Sequence, residues 1–140
     1  MKRLQQGFTL IEVLVTIAIV GLLTSVAVPS YNNYVTRART AEAFSALGAA
    51  QAAAEQYWPN GRTYANFNTS LAFPAATDNF TYTLSNATAS TFTVTANGRA
   101  KMTGFTYTIN QSGTRATTAT PSWGTNTSCW VDKKGGACSS

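Results

Sequence analysis

Few side chains in this sequence are of the types that carry out catalysis. It contains five acidic residues, two cysteines and no histidine. The absence of histidine excludes histidine-ligated metal sites and nucleophiles activated by an imidazole. The composition therefore argues against an enzyme, and we expect no metal site and no cofactor. A membrane-anchored enzyme with an unrecognised site is the alternative.

Glu12 places a carboxylate in an apolar segment, where a charge is energetically unfavourable. It is the only charged residue between Arg3 and Arg37, and it lies within the apolar stretch from Phe8 to Val28. A carboxylate near the centre of a membrane helix costs about 2.5–3.5 kcal/mol on insertion scales. One interpretation is a side chain that reaches back to the membrane interface. The other is a charge that needs a positive partner inside a bundle of helices.

Cys129 and Cys138 enclose a short segment near the end of the sequence. In an exported protein such a pair predicts a disulfide bond, and two reduced thiols are the alternative. The spacing differs from the CxxC pattern of redox and zinc sites. A ring of this size would stabilise the fold by about 2–3 kcal/mol.

The segment between the cysteines is basic. Lys133 and Lys134 lie inside it, and Trp130 follows Cys129 directly. Cations beside an aromatic ring are typical of nucleic-acid contacts, in which the cations pair with phosphates and a base stacks on the aromatic ring. The alternative is a solvated loop whose tryptophan packs on the fold. We favour the second, because five dispersed cations in this half of the chain are an ordinary number.

The element that positions Glu12 is an apolar helix. The 21 residues from Phe8 to Val28 are enough to span a membrane. Lys2 and Arg3 precede them, which predicts a cytoplasmic N-terminus and a single pass, with the rest of the chain exported. A plain signal anchor is the alternative. Gly21 and Pro29 weaken helices, so we expect a bend or local melting between them.

The helix is expected to continue beyond Pro29 as an amphipathic half, residues 30–58. Apolar side chains recur there at steps of three and four, with Gln51 as the polar exception. Pro59, Asn60 and Gly61 should end it. The expected stripe is Tyr31, Tyr34, Ala38, Ala41, Phe44, Leu47, Gln51, Ala54 and Trp58.

The remainder of the chain predicts a small antiparallel sheet. Large apolar residues alternate with threonine and serine over 80–85, 91–96 and 105–109, which is typical of half-buried strands. The apolar stripe of the helix should pack on the apolar face of the sheet. Residues 113–126 resemble a loop, with at most a short edge strand. The expected fold class is α+β, with one long N-terminal helix on a small sheet.

The N-terminus resembles that of the type IV prepilins. A basic leader ends at Gly7, Phe8 follows, Glu12 is the fifth residue after the cut, and an unbroken apolar helix continues. The corresponding division is a leader at 1–7, a transmembrane and polymerisation helix at 8–29, an amphipathic half at 30–58, and a globular β head with the disulfide loop at 59–140.

The resemblance implies a pathway for the chain. A prepilin peptidase would cut between Gly7 and Phe8, and the new amine of Phe8 would be methylated. Glu12 would then pair with the Phe8 amine of a neighbouring subunit. The implied partners are the peptidase and methylase, the inner membrane, an inner-membrane assembly platform and other pilin subunits in an extracellular pilus.

Three filament roles fit this signature. The first is a structural pilus subunit serving adhesion, motility or DNA uptake, and the second is a DNA-binding competence pilin. The third is a type II secretion pseudopilin. Major pseudopilins often carry an acidic calcium-binding loop, whereas Asp132 is the only acid in the last third of this chain, which is too few for a calcium cage. The pilus subunit is therefore preferred.

Overall fold

The computed structural model describes residues 7–120 and 122–139. Of the expected leader, only Gly7 falls within these ranges, so Lys2 and Arg3 lie outside the described residues. The chain divides into two compact units, residues 1–35 and residues 36–140. Each unit is described by itself below.

A single helix, α1, runs from Leu10 to Gly61. Its end agrees with the expected stop at Pro59–Gly61, while its first residue lies two positions after the expected start at Phe8. Gly21 and Pro29 both lie inside the helix, and every residue between them is helical. A bend or local melting of this segment therefore stays a prediction for the assembled state.

The first unit exposes apolar side chains on all sides. The hydroxyls of Thr16, Thr24 and Ser25 donate to backbone carbonyls three or four residues earlier. Such bonds satisfy hydroxyl groups within the helix itself, as an apolar environment requires. The exposed large apolar residues are Phe8, Leu10, Ile11, Val13, Leu14, Val15, Ile17, Ile19, Val20, Leu22, Leu23, Val26, Val28, Tyr31 and Tyr34.

The second unit contains a five-stranded antiparallel sheet whose strands neighbour each other in chain order. Two short 3₁₀ helices, Phe67–Thr69 and Ala100–Met102, lie in its connections. The strands are β1 Phe80–Ser85, β2 Thr93–Gly98, β3 Thr106–Asn110, β4 Arg115–Thr118 and β5 Thr125–Asn126. The three expected strands are confirmed, and residues 113–126, expected as a loop with a short edge strand, contain two short strands, β4 and β5.

The apolar face of the sheet packs against the part of α1 that lies in the second unit. The core includes Leu47 from the helix, with Phe80 and Tyr107 from the sheet. The buried helix residues are Thr40, Ala43, Leu47, Ala50 and Ala54. Three of these five residues are alanines, and Ala54 was among the residues of the expected stripe.

The expected helical stripe is correct in its second half and wrong in its first. Phe44, Ala53, Tyr57 and Trp58 pack around the buried helix residues, whereas Tyr31, Tyr34, Ala38 and Ala41 are exposed. Thr40 was expected outside the stripe and is fully buried. Its hydroxyl donates to the carbonyl of Arg37 at 2.8 Å, so it is satisfied inside the core.

Candidate assembly surface and the C-terminal loop

The first turn of α1 is closed by Thr9 and Glu12. The amide of Thr9 donates to Glu12 Oε2 at 3.2 Å, and the amide of Glu12 donates to Thr9 Oγ1 at 3.3 Å. This is the capping-box arrangement, which satisfies two amides that the helix leaves free. Its sequence pattern, Thr-x-x-Glu before an apolar stretch, was present in the chain and was missed.

The capping box gives Glu12 a partner within its own chain. Its carboxylate lies in the first turn, where the helix dipole favours a negative charge. The expectation that Glu12 needs a partner from another chain therefore overlooked the local one. The Thr9 amide that binds this carboxylate follows Phe8 directly in the chain.

The expected cleavage site is accessible. Gly7 and Phe8 precede the helix, and 85% of Phe8 is exposed. A Cβ added at Gly7 would meet no atom within 4 Å. The peptide bond between them is therefore open to an enzyme, and nothing around Gly7 in the described residues requires a glycine for packing.

By length and composition, α1 is able to cross a membrane. Its most apolar window of 18 residues has a mean hydropathy of 2.4, and none of that window is buried. A core helix of a soluble domain would bury such a surface. The exposed apolar surface of α1 is therefore free to contact lipid or other helices.

Cys129 and Cys138 form a disulfide bond, as expected. Inside the ring, the amides of Asp132 and Lys133 both donate to the carbonyl of Ala137, at 3.2 and 3.1 Å. Lys133 and Lys134 are exposed. The ring therefore presents its two lysines to solvent on a compact turn.

Side chains of the sheet hold the start of this ring. Thr117 Oγ1 donates to the carbonyl of Cys129 at 2.8 Å and accepts from the amide of Val131 at 2.9 Å. The hydroxyl of Tyr107 donates to the carbonyl of Val131 at 3.1 Å. Burial first, and then the charge of Asp132, raise the pKa of Tyr107, so its hydroxyl keeps its proton and remains a donor.

Trp130 packs into the core of the second unit, with only 7% of its surface exposed. Its ring stacks on Phe44 with centroids 5.2 Å apart, and its Nε1 donates to the carbonyl of Thr108 at 2.8 Å. The guanidinium carbon of Arg115 lies 4.5 Å from the ring centroid. The packing interpretation therefore describes Trp130, and its ring is not available to stack on a base in this structure.

An ion pair ties the ring to α1. Arg37 Nη2 lies 2.9 Å from Asp132 Oδ2 and donates to Ser139 Oγ at 2.5 Å. The amide of Ser139 donates to Asp132 Oδ1 at 2.6 Å. Burial alone would raise the pKa of Asp132, but the hydrogen bonds from Ser139 and the charge of Arg37 outweigh it and lower that pKa. No local sequence pattern indicates this pair, because Arg37 and Asp132 are far apart along the chain.

Two family models match the chain. One, described as type IV minor pilin ComP, DNA uptake sequence receptor, covers residues 29–106, which is more than half of the chain. The other, described as prokaryotic N-terminal methylation motif, covers residues 2–28. No solved structure matches.

Similar proteins are named as pilins and fimbrial proteins, not as enzymes. A fimbrial protein of Neisseria meningitidis is 41% identical over 56% of this chain and 46% of its own length. A type IV major pilin protein PilE1 of Neisseria gonorrhoeae is 43% identical over 50% of this chain and 42% of its own. A type IV major fimbrial protein FimA of Dichelobacter nodosus is 40% identical over 44% and 40%.

The chain spans less than half the length of these relatives. The matched family models adjoin each other, so together they cover α1 with its capping box and the first two strands of the sheet, β1 and β2. The accessible Gly7–Phe8 bond and the bare apolar helix fit the methylation motif at the start of the chain. On these grounds the chain belongs to the type IV pilin family.

Proposed function

We propose that this chain is a structural subunit of a type IV pilus, stored in the inner membrane and then polymerised through α1 into an extracellular filament. The observation that carries the proposal is the apolar surface of residues 8–35, which is exposed on all sides of the helix. Burial of apolar surface contributes about 25 cal/mol per Å². In lipid this surface is already out of water, and in a bundle of such helices outside the membrane it is removed from water again, which holds an assembled filament together.

Processing at Gly7–Phe8 prepares the subunit for assembly. The exposed bond supports cleavage by a prepilin peptidase, followed by methylation of the Phe8 amine. A methylated amine remains protonated near neutral pH and keeps its charge. The inner-membrane assembly platform then takes up the processed chain. Gly21 and Pro29 provide the weak segment at which α1 bends or melts as it packs.

Glu12 acts in assembly by exchanging partners. In the free chain its carboxylate binds Thr9 in the capping box. In the filament it pairs with the Phe8 amine of a neighbouring subunit. Because the carboxylate is already satisfied before assembly, the exchange adds little affinity, and its main effect is to set the axial register between subunits.

The test is the incorporation of the chain into filaments sheared from the cell surface. Wild-type chain should be found there by mass spectrometry, beginning at Phe8. The Glu12→Ala chain should insert in the membrane normally and be depleted from filaments. Asp78→Ala, which removes an exposed acid of the second unit, is the matched control and should assemble normally. Absence of wild-type chain from the filaments would contradict the proposal.

A second candidate function is DNA binding. The observation that favours it is the match to a family described as a DNA uptake sequence receptor. Lys133 and Lys134 are exposed on the disulfide ring, and Arg99 and Lys101 are exposed around the second 3₁₀ helix. These four cations are candidates for phosphate contacts. Trp130 is not a candidate, because its ring is buried.

Salt dependence tests this function. Detergent-solubilised chain should bind a labelled DNA duplex with an affinity that falls as salt rises. Lys133→Gln with Lys134→Gln should reduce the slope of log affinity against log salt by about 2, since each phosphate contact contributes about 0.9. Arg62→Gln is the control, because Arg62 lies beside Trp58 instead. An unchanged slope in the double variant would exclude the two lysines as phosphate contacts.

A further inference from the structure

Tyr31 and Tyr34 lie at the C-terminal end of the exposed apolar surface of α1. They are three residues apart and therefore share one face of α1. Their side chains are 68% and 73% exposed. The part of the chain that the structure describes provides no hydrogen bond to either hydroxyl. Both rings were expected in the buried helical stripe, and both are exposed instead.

Their distance from the apolar stretch places them at a membrane boundary. The 21 residues from Phe8 to Val28 extend about 31 Å at 1.5 Å per residue, which matches a hydrocarbon core of about 30 Å. Tyr31 follows Val28 by about 4.5 Å and Tyr34 by about 9 Å. The headgroup layer is about 5–8 Å thick on each side. Because helix side chains tilt toward the N-terminus, both rings reach this layer.

Charged residues do not mark this boundary. No charge occurs between Val13 and Thr36. The first cation, Arg37, lies about 13 Å beyond Val28 and so beyond the headgroups. It is also paired with Asp132 at 2.9 Å. The residues with an affinity for the interface are therefore the two tyrosines.

We propose that Tyr31 and Tyr34 bind the headgroup layer of the bilayer and fix the depth at which the stored subunit lies. The inference rests on the proposed storage in the membrane. Tyrosine is enriched at membrane interfaces because its ring is apolar and its hydroxyl is polar. Every large apolar residue from Val13 to Val28 is aliphatic. The change to tyrosine thus coincides with the change from hydrocarbon to headgroup.

Depth is measured by labelling a cysteine at the boundary. Ser30→Cys provides the reporter, since Cys129 and Cys138 are joined and do not react. The full chain is reconstituted in vesicles of phosphatidylethanolamine and phosphatidylglycerol and treated with a membrane-impermeant maleimide. The reporter is combined with Tyr31→Leu and Tyr34→Leu, or with Tyr31→Trp and Tyr34→Trp. Ala38→Leu, which adds apolar surface farther along the exposed helix, is the matched control.

The leucine pair lengthens the apolar stretch and should draw the reporter into the bilayer, so that its labelling rate falls by about threefold or more. The tryptophan pair retains interfacial side chains and should label like the wild type, as should Ala38→Leu. Equal labelling of the leucine pair and the wild type would overturn the proposal. So would a tryptophan pair that labels as slowly as the leucine pair, because apolar bulk alone would then set the depth.

Failure of membrane storage itself gives a different result. In that case the wild-type chain would not float with the vesicles in a density gradient, and its reporter would label equally with and without lipid. Such an outcome overturns the proposed storage and with it this inference. If the chain floats with the vesicles but substitution of the tyrosines leaves the labelling rate unchanged, only the inference about Tyr31 and Tyr34 is overturned.

Discussion

Thr9 and Glu12 bind each other reciprocally across the first turn of α1, each backbone amide donating to the side chain of the other residue. The pair lies at the end of an apolar helix, where a free amide and a free carboxylate would both be unfavourable. It gives the carboxylate two hydrogen bonds within its own chain, from the amide and the hydroxyl of Thr9.

Thr9→Val should open the capping box. Loss of an N-cap side chain costs about 1 kcal/mol, so the first turn should fray and Glu12 should lose its position. We expect faster hydrogen exchange at the amides of residues 9 and 12 in detergent micelles, together with a lower filament yield. Thr9→Ser retains the hydroxyl and should behave like the wild type. Equal exchange rates in the valine and serine variants would show that the box does not hold the turn.

Glu12→Gln separates the role of charge from that of size. Glutamine can also complete a capping box, so the first turn should remain closed. It cannot form an ion pair with the Phe8 amine, and we therefore expect filament assembly nearly as poor as that of Glu12→Ala. A signal anchor would tolerate both changes, because each removes a charge from the membrane. Wild-type levels of Glu12→Gln chain in filaments would exclude the ion pair.

Gly7→Val should block removal of the leader. A branched side chain beside the scissile bond would hinder the peptidase, although nothing in the described residues restricts the space around Gly7. The variant should accumulate in the membrane with its leader attached, and its intact mass should exceed that of the methylated mature chain by the mass of its residues 1–7 less one CH2 group. Detection of a chain that begins at Phe8 in this variant would contradict the expectation.

Cys138→Ser should weaken the C-terminal ring before it disturbs the sheet. Loss of a disulfide that closes a ring of this size lowers the free energy of unfolding by about 2–3 kcal/mol. The bonds from Thr117 and Tyr107 to the start of the ring do not depend on the disulfide and should persist. Denaturant unfolding measures the loss, and hydrogen exchange locates it. Uniform loss of protection throughout the strands would contradict this order.

Asp132 should make stability depend on pH. Its pKa is lowered in the folded chain, so its contribution is complete above its unfolded pKa of about 3.9 and is lost as the pH falls through the lower, folded-state pKa. Asp132→Asn should lower the thermal midpoint near neutral pH, by the equivalent of about 1–3 kcal/mol for a hydrogen-bonded charge. As the pH falls below about 3.9, the difference in thermal midpoint between the variant and the wild type should shrink. A difference that does not change with pH would exclude this ionisation as its source.

Alternation of large apolar residues with threonine was sufficient to locate β1, β2 and β3. It could not locate β4 and β5, because their residues are small or polar and leave no alternation to detect. The helical stripe failed in its first half because Tyr31 and Tyr34 continue the apolar spacing and yet are exposed. Spacing also missed Thr40, which is buried with its hydroxyl satisfied by the backbone.

Local patterns indicate the N-terminal site and the disulfide, but they do not indicate the ion pair at the C-terminal ring. Gly7, Phe8 and Glu12 are close in sequence, so their relationship is visible without a structure. The pairing of Arg37 with Asp132 joins a helix to a loop across most of the chain. Only the packing of the helix on the sheet brings the two side chains together.

The position of Lys133 and Lys134 within the disulfide ring has a consequence for proteolysis. Both are exposed and are suitable sites for trypsin. Because Cys129 and Cys138 flank them, hydrolysis after either lysine opens the ring without releasing a fragment. The nicked chain gains the mass of one water molecule, and its two pieces separate only when a reducing agent is added.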